Sequence, residues 1–137
     1  MLTCNGLTMS DGQRYRDQEG MRMKAPRLVI VRHLGEKAVA LDDYFRQLGW
    51  CVKIAEDGAN ARKLANRAQA VVLPVGGRCE SGFLTCAKLV AAQPDVRVVL
   101  IGPADEEQER FALFAGAAAY VTDAMPMADV ARLIVGE

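Results

Sequence analysis

The chain has 137 residues, 51% of them hydrophobic and 25% charged, with 17 basic residues balanced by 17 acidic ones. This is the size of one domain, with enough apolar material for a core and without the basic surplus of a nucleic-acid or membrane-surface binder. No apolar run approaches the ~18–20 residues that span a bilayer, and the polar N-terminus lacks the apolar core of a signal peptide. The four cysteines, Cys4, Cys51, Cys79 and Cys86, follow neither a disulfide framework nor a zinc module. A cytoplasmic protein with reduced thiols is expected, with no membrane and no direct nucleic-acid contact.

Residues 1–25, MLTCNGLTMSDGQRYRDQEGMRMKA, are polar and aperiodic and are expected to form a flexible tail; Met9, Met21 and Met23 are alternative starts within it. The folded domain is expected over residues 26–137. RLVIV (27–31) is a short β-branched run and predicts a buried strand. GEKAVALDDYFRQLGW follows, with Val39, Leu41, Phe45 and Leu48 at helical spacing and Gly49 as the stop. CVKIA (51–55) alternates as a second strand and ends in the turn EDG. ANARKLANRA sets Ala61, Leu64, Ala65 and Ala68 on one helical face. QAVVLPVGGR holds the third strand, Ala70–Val75, closed by a proline and two glycines. SGFLTCAKLVAA is a helix with Ser81 as its N-cap. VRVVLIG (96–102) is nearly unbroken apolar, as befits a strand covered on both faces. DEEQERFALFAGA puts acids at the positive end of a helix dipole, and Gly116 ends it. AAYVT (118–122) is the fifth strand and MADVARLIV the last helix.

Strands alternating with helices through short connections predict a parallel sheet in a three-layer, doubly wound (βα)5 domain. Three stretches add local wording: LGW closing the first helix, AEDG after the second strand, and DEEQERFALFAGAAAYVT running into the fifth. With this order and spacing the chain, over about residues 27–135, resembles the receiver domain of two-component response regulators. The resemblance implies a flavodoxin-like strand order of 2-1-3-4-5.

A working receiver takes a phosphoryl group on an aspartate at the tip of its third strand. Two acids after the first strand hold Mg²⁺, and a Thr or Ser after the fourth and a Lys after the fifth meet the phosphoryl oxygens. An anionic group in transfer needs cations around a carboxylate nucleophile. The resemblance places Arg32 and His33 at the acid pair, Pro74 at the phosphoacceptor, Ile101 at the hydroxyl and Asp123 at the lysine. Pro74 has no nucleophile, Arg32 repels a cation that requires oxygen ligands, and Ile101 cannot bond a phosphoryl oxygen. Phosphoryl transfer by the receiver mechanism is therefore excluded at this register, and no catalytic residue, cofactor or metal site is expected. Arg32 and Asp123 are expected to pair across the old pocket with the receiver's signs exchanged. The single histidine, His33, has no cluster around it and is expected to be structural or solvated. VGGR lacks the P-loop spacing and its lysine, and Cys79 is expected in a turn beside Arg78.

Phe111 and Phe114 lie three apart on the fourth helix. The resemblance implies that helix four, strand five and helix five form the face through which receivers dimerise or dock partners. Phe111, Phe114 and Tyr120, the last matching the receiver's switch aromatic, are thus the candidate interaction face, with homodimerisation expected there. The expected function is a phosphorylation-independent pseudo-receiver, not an enzyme. It would act through a protein partner or an effector domain, alone or as the N-terminus of a longer regulator. Two other readings stay open. One is a small-molecule sensor using the modified pocket. The other is a cobalamin-binding-like domain, for which VRHLGE has the His but not the Asp or spacing of Asp-x-His-x-x-Gly.

Overall fold

The computed structural model describes residues 25–77 and 80–136, and within residues 1–24 only the backbone of two paired strands, Leu2–Thr3 and Asn5–Gly6. The expected tail lies outside the described residues apart from Ala25 and that pair, and so does Cys79. From Arg27 onward the chain alternates as the sequence predicts. The strands are β1 (Arg27–Val31), β2 (Cys51–Ala55), β3 (Ala70–Pro74), β4 (Arg97–Gly102) and β5 (Ala119–Thr122). The helices are α1 (Glu36–Gln47), α2 (Gly58–Leu64), α3 (Gly82–Ala92), α4 (Glu106–Phe114) and α5 (Met127–Val135). The five strands form one parallel sheet in the order β2-β1-β3-β4-β5, the 2-1-3-4-5 arrangement that the resemblance implies.

Successive strand residues point to opposite faces, so each apolar strand feeds two cores. Val29, Val71, Leu73, Val98 and Leu100 pack with Ala61, Ala65, Leu89 and Ala112 beneath α2, α3 and α4. Leu28, Ile30, Val72, Val99 and Val121 pack with Leu41, Phe45, Val130 and Ile134 beneath α1 and α5. Each buried Val, Leu, Ile or Phe contributes about 1.5–3 kcal/mol by leaving water, and in the central strands the only polar residues, Arg27 and Arg97, stand at the first position.

Three local details correct the sequence reading. α1 buries Ala38, Leu41 and Phe45, whereas Val39 and Leu48 are 70% and 55% exposed. With Leu41 and Phe45 anchored, the i−3 position is Ala38, and Val39 is turned about 100° away from it. α2 stops at Leu64 rather than running to Ala68, although Ala61, Ala65 and Ala68 are buried as expected. The stop is made from outside: the Gln93 side chain donates to the Ala65 carbonyl at 2.9 Å and accepts from the Arg67 amide at 3.1 Å, with Arg67 at φ 65°. β3 ends at Pro74, one residue early, though the Val75 amide still bonds the Ile101 carbonyl at 3.0 Å.

The expected cap is in place: Ser81 Oγ accepts from the Leu84 amide at 3.2 Å. Two further caps are Asp105 Oδ1, which accepts from the Glu107 amide at 2.9 Å, and Asp57 Oδ1, which accepts from the Asn60 amide at 2.8 Å. Gly116 follows α4 at φ 105°.

Candidate functional site

All five strands of a parallel sheet end at one edge, and in an open α/β fold that edge is where ligands bind. Here it is formed by the 3-10 turn Arg32–Leu34 after β1, Glu56 and Asp57 after β2, Pro74 at the tip of β3 with 75–77 after it, Gly102 at the tip of β4 with Pro103 after it, and Asp123 after β5. Pro74 and Ile101 face each other in register across β3 and β4, so two of the degenerate pocket positions do come together. Ile101 is 3% exposed and belongs to the α1–α5 core. His33 is exposed and lines the cleft beside Glu56, Pro74 and Glu80.

The expected Arg32–Asp123 ion pair is not formed. Arg32 Nη2 meets Glu56 Oε2 at 3.0 Å, with both side chains 66% exposed. The reason is strand order. β2 is the immediate neighbour of β1, while three ladder spacings of ~4.8 Å separate β1 from β5. An exposed pair of this kind contributes about 0–1 kcal/mol. Asp123 is served differently: its backbone carbonyl accepts from Lys37 Nζ of α1 at 3.2 Å.

Every carboxylate lining the cleft already has a partner. Glu56 holds Arg32, Asp57 caps α2, and Glu80 is held by three donors. Mg²⁺ takes oxygen ligands in near-octahedral array. The residues at this edge do not fit it, because Arg32 and His33 replace the acids after β1 and Pro74 supplies no oxygen from its side chain. No cluster of metal-ligating side chains occurs among the described residues. The cleft volume is about 10 Å³, close to the ~10–15 Å³ that one water molecule needs.

Glu80 is the residue that sequence reasoning missed. Its side chain is 9% exposed. It accepts from Arg62 Nε at 3.1 Å and Nη2 at 3.2 Å, from Lys88 Nζ at 3.0 Å, and from the fully buried Thr85 hydroxyl. Burial alone would raise its pKa. The hydrogen bonds from Thr85, Arg62 and Lys88, with the Arg62 charge, outweigh that and bring it down to about 2. This carboxylate ties α2 to α3 at the edge of the cleft. Gly58 makes room for it, since a Cβ there would stand 2.4 Å from Thr85 Oγ1.

The three candidate interface aromatics separate. Tyr120 is 9% exposed, and its Oη donates to the Pro103 carbonyl at 2.6 Å. It fits because residue 102 is glycine: a Cβ at Gly102 would stand 2.5 Å from that oxygen. Burial, then the negative charges of Asp105, Glu109 and Asp123, push the phenol pKa up. Tyr120 is therefore a core residue and presents no contact surface. Phe111 and Phe114 are 53% and 88% exposed. The Phe111 ring lies 4.7 Å from that of Phe83 on α3, so Phe111 borders α3.

No family model matches the chain, and no curated protein is significantly similar to it. Solved structures do match. A response regulator receiver protein of Pseudomonas putida has a TM-score of 0.73 at 16% identity, over 85% of this chain and 100% of that one. The receiver domain of Ssk1 of Saccharomyces cerevisiae, crystallised with the histidine phosphotransfer protein Ypd1, has a TM-score of 0.72 at 15% identity over 83% and 89%. A response regulator protein of Burkholderia pseudomallei, with a phosphorylated aspartic acid, a calcium ion and citrate, has a TM-score of 0.72 at 20% identity over 80% of this chain and 66% of that one. Likeness at these identities establishes the fold, which is that of response regulator receiver domains.

Proposed function

We propose that the chain is a pseudo-receiver, a signalling module that acts through protein contact and without phosphorylation of its strand tips. The observation that carries this reading is Pro74 at the end of β3, in register with Ile101 and above a cleft of about 10 Å³. A tertiary amide has no nucleophile, the flanking Arg32 guanidinium would repel the metal that phosphoryl transfer requires, and the His33 imidazole gives it no oxygen ligand. The Ssk1 receiver meets its partner as a protein–protein complex, and contact of that general kind is the output that remains when the chemistry is lost. No helix among the described residues is long and apolar enough to cross a membrane.

The test is incubation of the chain with acetyl phosphate and Mg²⁺, read by intact mass. No phosphoryl adduct is expected on the unmodified chain. None is expected on Pro74→Asp either, because a carboxylate there still lacks its metal ligands. Stoichiometric, Mg²⁺-dependent modification of the unmodified chain at a strand-tip residue would overturn the reading.

A further inference from the structure

We propose that the seam between α3 and α4 is a docking site for a basic, amphipathic segment of a protein partner, anchored on Phe111 and Phe114 and steered by Glu106, Glu107 and Glu109. The inference rests on the protein-contact reading above and names the surface and the chemistry of the partner. The seam is built at three levels: Phe83 stacks on Phe111, Cys86 Sγ meets the Ala115 carbonyl at 3.7 Å, and Val90 packs under Gly116. Leu84 of α3 is 48% exposed and Phe114 of α4 is 88% exposed. Glu107, Phe111 and Phe114 share one helical stripe, at i, i+4 and i+7. Exposed aromatics clustered in this way are the residues that anchor interfaces, and a helix laid in such a groove reads them at these intervals.

Charge selects the occupant. The first turn of α4 carries Glu106, Glu107 and Glu109, and its last turn carries no base. None of the ion pairs among the described residues involves these acids, and Lys88 of α3 is committed to Glu80. The helix dipole favours acids at this end but brings no cation. α4 carries one exposed base, Arg110, four residues after Glu106, but against Glu106, Glu107 and Glu109 it leaves the helix with an excess of acid. A second copy of the chain therefore sets one net-acidic α4 against another, which repel. Lysine or arginine on a partner's polar face supplies what is missing, so this inference replaces the expected homodimer.

The probe is a pair of synthetic helical peptides with the same Leu/Phe stripe, one with Lys and Arg on its polar face and one with Glu, titrated into the isotope-labelled full chain. The basic peptide is expected to shift amides of α3 and α4, to weaken with added salt, and to lose about tenfold or more in affinity for Phe114→Glu. A Glu106→Gln, Glu107→Gln, Glu109→Gln variant is expected to lose the preference for the basic peptide. Absence of binding, equal binding of both peptides, shifts elsewhere, or a dimer in sedimentation that Phe114→Glu dissociates would each overturn the proposal. Because phosphorylation is measured separately, a phosphoryl adduct would overturn the proposed function with the docking result intact, and absence of peptide binding would overturn only the docking site.

Discussion

Gly82→Ala is expected to lower the unfolding free energy by about 3 kcal/mol, and Gly76→Ala to leave it within about 0.5 kcal/mol. The Gly82 amide donates to the Val75 carbonyl at 2.9 Å, which draws the first turn of α3 onto the tip of β3. A Cβ at residue 82 would stand 2.0 Å from the Pro74 carbonyl oxygen and 3.0 Å from Val75 Cα. Both obstacles are backbone, so no rotamer change relieves them, and either β3 or α3 must shift. Gly77 is confined in the same way, 1.9 Å from the Glu80 carbonyl oxygen, whereas nothing lies within 4 Å of a Cβ at Gly76. The two glycines after Val75 thus differ in kind: one is required by close approach, the other is not. Urea unfolding of Gly76→Ala, Gly77→Ala and Gly82→Ala beside the parent separates them. If Gly82→Ala unfolds at the parent's midpoint, the loop after β3 is not closed against the strand.

The five strands, five helices, the Ser81 cap and the Gly116 stop were legible in the sequence because each depends on local spacing. Ser81 and Gly116 act within one turn of where they stand, and the β-branched runs declare strands buried on both faces. What was not legible depends on groups brought from elsewhere. α2 ends early because Gln93, from the end of α3, takes its last backbone groups. Arg32 finds Glu56 and not Asp123 because adjacency is set by strand order, and β1 and β5 are separated by two strands. Tyr120 is buried because a glycine on the neighbouring strand leaves it space. The side of α4 that Phe111 presents is fixed by Phe83 across the seam, so spacing along α4 alone could not say which neighbour the aromatics face. Glu80 and Lys88 flank the Ser81 cap visibly enough, but Arg62 comes from α2 and the convergence of the three is tertiary.

Glu80→Gln is expected to cost about 2 kcal/mol at pH 7, less than the full pKa difference implies because Arg62 and Lys88 keep part of their contact with water. The sign follows from the shift. The folded carboxyl titrates at about 2 against an ordinary 4.5, so between those values the native state binds fewer protons than the unfolded chain. Its contribution is complete well above pH 4.5 and is lost as pH falls toward 2. The stability difference between parent and Glu80→Gln should therefore be constant from neutral pH down to about 5 and shrink below it, as urea titrations at stepped pH would reveal. This carboxylate also bears on function. A receiver keeps its anion at the strand tips, added and removed by phosphoryl transfer; here the cations of α2 and α3 converge on a permanent anion of the chain itself. Above acid pH this anion holds α2 and α3 together at the edge of the cleft. A stability difference that stays flat through acid pH would mean that the ionised carboxylate is not what the three donors hold.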